Sequence, residues 1–160
     1  VYEKNQVTLA YLAGVFDADG SVTIRRQATN IRWPNSYTFS ESAEVGQTES
    51  AAVEIFAALW PGEFRLRKRG TANWRPMYEW RVSCLKAAEF LSAVRPYLRV
   101  KGERADLALA LRASKDRPRA EQRTIRVGVR GTRLSPEITE ERLELWRRLR
   151  LLNDTRRRIE

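Results

Sequence analysis

Apolar and polar positions along this chain follow two rhythms, one helical and one alternating. Thr8 can cap a helix over residues 9–17, where Leu9, Leu12, Val15 and Phe16 share one side and Ala10, Ala13, Gly14 and Asp17 the other. Residues 21–27 then alternate, with Val22 and Ile24 opposite Ser21, Thr23 and Arg25. Residues 37–46 do the same, with Tyr37, Phe39, Ala43 and Val45 opposite Thr38, Ser40, Ser42 and Glu44. Between them Trp33-Pro34-Asn35-Ser36 is a turn signal, so the two runs predict a hairpin. An Ala-rich helix over 49–60 stops at Pro61-Gly62. A second alternating pair follows. Over 63–70 Phe64 and Leu66 oppose Arg65, Arg67 and Arg69, and over 77–83 Tyr78, Trp80 and Val82 oppose Glu79, Arg81 and Ser83. Ser83 is placed to cap a helix over 84–94 that ends at Pro96, and another helix spans about 102–114.

The order helix, hairpin, helix, hairpin, helix predicts an α+β fold. Four antiparallel strands each have one apolar and one polar face, and helices cover the apolar one. The polar face carries Arg25, Arg65, Arg67, Arg69 and Arg81, opposed by Glu44 and Glu79. Such a surface suits a phosphate backbone, and a β-ribbon fits the major groove of DNA. From Lys115 the character changes. Residues 115–133 read as a mobile basic loop with seven Lys or Arg, and Ser135-Pro136-Glu137 then opens a helix with Ile138, Leu145, Leu149 and Leu152 on one face. One domain therefore spans 1–160: a core over 1–115, then the basic loop and C-terminal helix over 116–160.

Composition narrows the chemistry. The 160 residues carry a net charge of +10, with 25 of the 30 basic residues arginine, no histidine and one cysteine, Cys84. That excludes a Ser-His-Asp triad, a Cys-His pair, a zinc finger, an iron–sulfur cluster and an intrachain disulfide. What remains is carboxylates, lysine, arginine, amides, hydroxyls and hard metals. A basic balance of this size points to a polyanionic partner, against the plainer reading of a solvated, salt-bridged surface. No apolar run approaches a membrane span, and Val1-Tyr2-Glu3-Lys4 does not resemble a signal peptide. The expectation is an intracellular protein, in a prokaryotic cytoplasm or nucleoid or an organelle, without a membrane partner.

The first helix has large residues on one side and small ones, Ala10, Ala13 and Gly14, on the other. A small-residue face lets a second backbone approach closely. No other helix offers a matching face, so the simplest neighbour is the same helix of a second copy across a two-fold axis. Asp17 and Asp19 at its end would then meet their counterparts, and clustered carboxylates without histidine favour Mg²⁺ or a similar hard ion. An ordinary turn after a helix is the commonest meaning of Asp-x-Asp-Gly-Ser. An EF-hand does not fit, because Val22 and Ala28 stand where its Gly and Glu belong.

Tyr11–Ser21, YLAGVFDADGS, resembles the LAGLIDADG motif of homing endonucleases, departing from it within the nine-residue core only at Val15 and Phe16. The element order, the basic sheet and the length match the single-motif, homodimeric, intron-encoded branch. The likeness extends through Gln47, the segment 95–101 and the ending Leu152-Asn153-Asp154-Thr155-Arg156. It implies the αββαββα fold, a saddle-shaped four-stranded antiparallel sheet with helices on one face. It also implies a Mg²⁺-dependent endodeoxyribonuclease, Mn²⁺ or Ca²⁺ substituting for binding. Asp19 would hold the metal with the Ala18 carbonyl, Asp17 would close the helix end, Gln47 would order water, and Lys101 would stand at the site's edge. Strict alternation puts Gln47 on the core side, and a bulge at Gly46 would re-aim it. A basic residue usual in the family just after Gln47 is missing, since Ala51 and Ala52 stand there, and an arginine of 115–133 is the candidate substitute.

The implied reaction is hydrolysis of one phosphodiester per strand across the minor groove of a long pseudo-palindromic site, leaving 3′ overhangs. Outward parity nominates Thr23, Arg25, Gln27, Thr38, Ser40, Glu44, Arg65, Arg67, Arg69, Glu79 and Arg81 for DNA contact, and the ending adds Asn153, Thr155 and Arg156. The dimer contact falls on Ala10, Ala13, Gly14 and Asp17. The competing reading is a non-cleaving DNA- or RNA-binding protein of the same fold, an intron maturase or regulator, with RNA a secondary partner.

Overall fold

A computed structural model describes residues 2–28, 37–67, 75–125 and 132–154. Helix α1 (Gln6–Asp19) runs directly into strand β1 (Gly20–Ala28). Strand β2 (Tyr37–Gln47), helix α2 (Ser50–Leu59), strands β3 (Glu63–Arg67) and β4 (Met77–Ser83) and helix α3 (Leu85–Val94) follow. A 3₁₀ turn (Arg95–Tyr97) leads to α4 (Gly102–Asp116) and α5 (Arg119–Gln122). Strands β5 (Arg123–Ile125) and β6 (Thr132–Leu134) and helix α6 (Pro136–Asn153) complete the described chain. The main sheet is antiparallel throughout, in the order β1-β2-β4-β3. This is the α+β arrangement the hydrophobic pattern predicts.

Helix α1 starts earlier than expected. Asn5, not Thr8, is the cap, and its side chain accepts from the Thr8 amide at 2.9 Å. At its other end there is no loop at all. A Cβ on Gly20 would lie 2.3 Å from the Phe16 ring, so only glycine lets β1 leave the helix there. The Phe16 ring itself is in the core, edge-on to Phe90 at 5.0 Å between centroids. Phe90 also meets Phe56, Trp60 and Trp80, and Trp80 Nε1 donates to the Trp60 carbonyl at 2.9 Å, so the largest core side chain has its polar atom satisfied.

Four expectations need correction. Ser83 does not cap α3. Cys84 occupies that position at φ 56°, makes no side-chain cap, and donates its amide to the Glu41 carbonyl at 2.8 Å. Phe64 and Leu66 do not enter the core. They are 43% and 47% exposed, because α2 packs over β2 and β4 and leaves the edge strand β3 uncovered. Residues 115–133 are not simply a loop: α4 runs on to Asp116, and α5 and the β5–β6 ladder flank residues 126–131, which lie outside the described residues. Finally, Ala13 is fully buried within the chain rather than facing outward.

Two buried charges tie the C-terminal elements down. Glu41, on the core side of β2 and 0% exposed, meets Lys115 at 2.8 Å and Arg112 at 3.4 Å from α4. The Arg142 guanidinium of α6 donates to Ser114 Oγ, the Ser114 carbonyl and Gln122 Oε1 at 3.1, 2.8 and 2.8 Å. Removing one partner of such a buried charge costs roughly 3–5 kcal/mol. Alternation puts Glu41 on the core side with Phe39 and Ala43 but gives no sign of its partners or of Arg142.

Candidate active site and nucleic-acid interface

The two motif acids leave the end of α1 in different directions. Asp17 turns back into its own chain. Its Oδ2 accepts the Arg99 and Val100 amides at 2.6 and 3.1 Å, and its Oδ1 accepts the Lys101 amide at 2.9 Å. Burial would raise its pKa, but the three amides and the Lys101 charge outweigh burial and hold the carboxyl below its ordinary range. Asp17 is therefore a clasp between α1 and the turn before α4. Asp19 is exposed, and its Oδ2 accepts from Gln47 Nε2 at 2.9 Å.

Gln47 reaches Asp19 without the bulge expected at Gly46. The ladder is regular, Val45 facing Trp80, Gly46 facing Glu79 and Gln47 facing Tyr78. β1 ends opposite Val45, so at Gln47 the core side of β2 has already passed the end of β1 and meets the end of α1. Core-side parity therefore delivers the side chain to the acid. Lys101 completes the group: its Nζ donates to the Asp17 carbonyl and to the Ala18 carbonyl at 3.4 Å. Burial lowers its pKa, the Asp17 and Asp19 charges oppose that, and the net direction is down.

Sequence reasoning missed Arg104. Its guanidinium donates to the Leu152 carbonyl, Asn153 Oδ1 and the Val100 carbonyl at 2.7, 2.9 and 3.3 Å. Asn153 Nδ2 in turn donates to the Val22 carbonyl at 2.9 Å. Asn153, nominated for DNA, is thus a latch joining α6 to β1 and to the turn that carries Lys101. Thr155 and Arg156 lie outside the described residues, as does Arg69. The cation expected to substitute near Ala51 is not found among Lys115 and Arg117, which pair with Glu41 and Glu141.

The exposed side of α1 differs from the expected small-residue face. Val7 and Tyr11 are 81% and 51% exposed, and Ala10, Gly14 and Ala18 are exposed beside them. A Cβ on Gly14 would meet nothing within 4 Å. At about 100° per residue, Val7, Tyr11, Gly14 and Ala18 form one narrow stripe.

The outer face of the sheet is laid out as parity predicts. Gln27 faces Thr38, Arg25 faces Ser40, Thr23 faces Ser42 with hydroxyls 2.7 Å apart, Ser21 faces Glu44, and Glu44 faces Arg81. Its charge is better balanced than expected, because Glu63 also lies there, opposite Arg81. Arg65 bonds Glu79 at 2.8 Å and Glu63 at 3.0 Å, Arg67 bonds Glu79 at 3.2 Å, and Arg81 lies 3.7 Å from Glu44. Burial raises the Glu79 pKa, yet the two guanidinium bonds outweigh it and the carboxyl sits below its usual range. Of the described arginines on this face, Arg25 alone is without an ion pair.

No protein-family model and no curated protein matches the sequence. Solved structures do match the fold. The homing endonuclease I-CvuI, in complex with DNA, is 22% identical over 93% of this chain and 83% of its own, with a TM-score of 0.67. The archaeal intron-encoded homing endonuclease I-Vdi141I, complexed with DNA, is 14% identical over 93% of this chain and 86% of its own, with a TM-score of 0.68. The LAGLIDADG homing endonuclease I-SmaMI, bound to cleaved DNA, is 14% identical and matches 86% of this chain but only 42% of its own, with a TM-score of 0.54. The chain has the LAGLIDADG homing endonuclease fold. No described helix is long and apolar enough to cross a membrane.

Proposed function

We propose that this chain is one half of a site-specific double-strand DNA endonuclease of the intron-homing kind. The observation that carries the reading is the division of labour at the end of α1. Asp17 is held by three backbone amides, while Asp19 is presented to solvent, braced by Gln47 and beside the Lys101 ammonium. A structural turn would have no use for a braced, outward carboxylate at the border of an arginine-bearing sheet.

The metal that the fold implies is tested by the donors. Asp19 Oδ1 and the Ala18 carbonyl are oxygen donors, which suit a hard cation such as Mg²⁺. One chain supplies only these two, and among the described residues no three His, Cys, Asp or Glu assemble. The set fits in kind and is completed by a second copy across the exposed α1 stripe. That Asp19 oxygens from two copies share the site is the physical reason for a homodimer. A bound Mg²⁺ would supply Lewis-acid polarisation of a phosphoryl oxygen. Gln47 orients Asp19 and hydrogen-bonds nearby water. Lys101, turning from the Ala18 carbonyl, places a cation against the charge that builds on the phosphate. The sheet would lie in the major groove, Arg67 or Gln27 reading base edges, and the two sites would cut across the minor groove to leave 3′ overhangs.

A non-cleaving binder is the second reading, favoured by the Lys101 bond to the Ala18 carbonyl and the missing cation near Ala51. Supercoiled plasmid carrying the uninterrupted insertion site of the coding gene separates the two. Wild type linearises it with Mg²⁺ and not with EDTA, and Asp19→Asn retains binding but loses cutting. Cutting by Asp19→Asn at the wild-type rate refutes the metal role. Site-specific binding by wild type with no cutting establishes the second reading.

A further inference from the structure

The outer face of the sheet has a step. β2 begins at Tyr37, but β4 pairs with it only from Ser42, opposite Ser83, and the chain then turns away at Cys84 into α3. The step opens a hollow of about 340 Å³, lined by Arg25, Gly62, Glu63, Arg81, Ser83 and Lys86 among others. Three cations face one carboxylate in the lining, that carboxylate is turned to Arg65 at 3.0 Å, and Glu44 outside the lining lies 3.7 Å from Arg81. Lys86 is fixed at the rim, because its Nζ donates to the Pro61 carbonyl at 2.6 Å. An ammonium has three donors, so two remain for a ligand. The wall at Gly62 is close-packed backbone: a Cβ there would lie 2.4 Å from the Arg81 carbonyl oxygen. Arg25, without an ion pair, reaches the hollow from the opposite strand pair.

We propose that this hollow seats one phosphodiester of the bound duplex, gripped by Arg25, Arg81 and Lys86 with the Ser83 hydroxyl as a neutral donor. Resting on the DNA-binding reading above, it adds a backbone anchor that sheet parity does not reveal, since Lys86 belongs to a helix. Converging donors from several directions match a compact oxyanion, whereas a base edge is read by one flat fork. The hollow also lies at the end of the sheet, bordered on one side by the Arg65–Arg67 row through Glu63, where the sugar–phosphate strand flanks a groove filled by strands. Such a contact fixes register and carries no sequence preference of its own.

The test uses the full chain and a duplex recovered from a randomised pool by binding to wild type, in Ca²⁺. Lys86→Ala is expected to reduce the slope of log affinity against log salt by about 0.9 per copy, or about 1.8 for a homodimer with two hollows. Its ranking of single-base-pair variants of the duplex is expected to stay that of wild type. Methylphosphonates placed one at a time then locate the contact. One neutralised phosphate in each half of the duplex should weaken wild type and weaken Lys86→Ala less, since Arg25 and Arg81 still face it. A Lys86→Ala protein with wild-type slope, a reordered base preference, or equal sensitivity to every methylphosphonate overturns the seat. Duplex binding by wild type without cutting once Mg²⁺ replaces Ca²⁺ overturns the nuclease reading alone, and the seat is still judged by the same pairwise comparison.

Discussion

Replacing Asp17 by Asn separates the two motif acids by their effects. The change keeps size and shape but removes the charge and half of the acceptors. Oδ2 serves the Arg99 and Val100 amides and Oδ1 serves the Lys101 amide, so an amide side chain loses one bond in one orientation and two in the other. Hydrogen bonds to a charged group contribute roughly 1.5–3 kcal/mol each. The clasp is partly solvated, so the expected loss is about 2–4 kcal/mol. The pH dependence checks the cause. Asp17's folded pKa is depressed, so its contribution is fully present above the ordinary carboxylate range and is lost as pH falls through the lower, folded value. Urea unfolding followed from neutral to acid pH should show wild type losing this contribution on acidification, while Asp17→Asn starts lower and falls less. A variant within about 0.5 kcal/mol of wild type at neutral pH would refute the clasp, that being the scatter of neutral surface changes.

Gly14→Leu should stabilise the isolated chain, since the site is open and Leu is better than Gly in a helix by about 1 kcal/mol. The same protein should sediment as a monomer and fail to cut, and a cutting dimer would remove α1 from the subunit contact. Cys84→Gly should raise stability by up to about 1 kcal/mol, because relief of strain of roughly 1–3 kcal/mol at φ 56° exceeds the entropic cost of glycine. A lowered denaturation midpoint would show that the turn is not strained.

Much of the fold was legible because strands with one buried face must alternate. Val22, Ile24, Phe39, Ala43, Val45, Trp80 and Val82 all fell on the expected side. Alternation failed where the covering layer is missing, at Phe64 and Leu66, because the pattern records which face is apolar and not whether a helix reaches it. The site was legible to the extent that the motif marks it. Asp19, Gln47 and Lys101 are brought together, but the means differ from expectation: a ladder end in place of a bulge. Arg104 was invisible, since an arginine at a helix start carries no signal of the three acceptors it meets from distant elements. On α1 the open side differs from the expected one at Ala13 but includes Ala10 and Gly14. Counting small residues selected Ala13, whereas burial selects by what already packs there, and the open side is centred on Gly14.

Charge explains why the sheet and the basic segment need separate roles. On the described outer face four arginines stand against three glutamates, so it is nearly neutral although the chain is +10. Residues 115–133 instead hold seven Lys or Arg against Asp116 and Glu121, and two of the seven, Lys115 and Arg117, are paired with Glu41 and Glu141. Non-specific attraction to a duplex scales with the phosphates neutralised, and a face of internal ion pairs contributes little to it. In the nuclease reading the same pairs would serve discrimination. Arg65 and Arg67 leave Glu79 only for an acceptor that matches a carboxylate, and a guanine edge offers two acceptors in one plane where adenine and cytosine each present an amino donor. A wrong base leaves the arginines with Glu79 and gains nothing, while a right one must exceed what Glu79 already provides. In the nuclease reading, attraction therefore belongs to the basic segment and the seat at Lys86, and selection belongs to an ion-paired sheet that binds weakly unless the sequence fits.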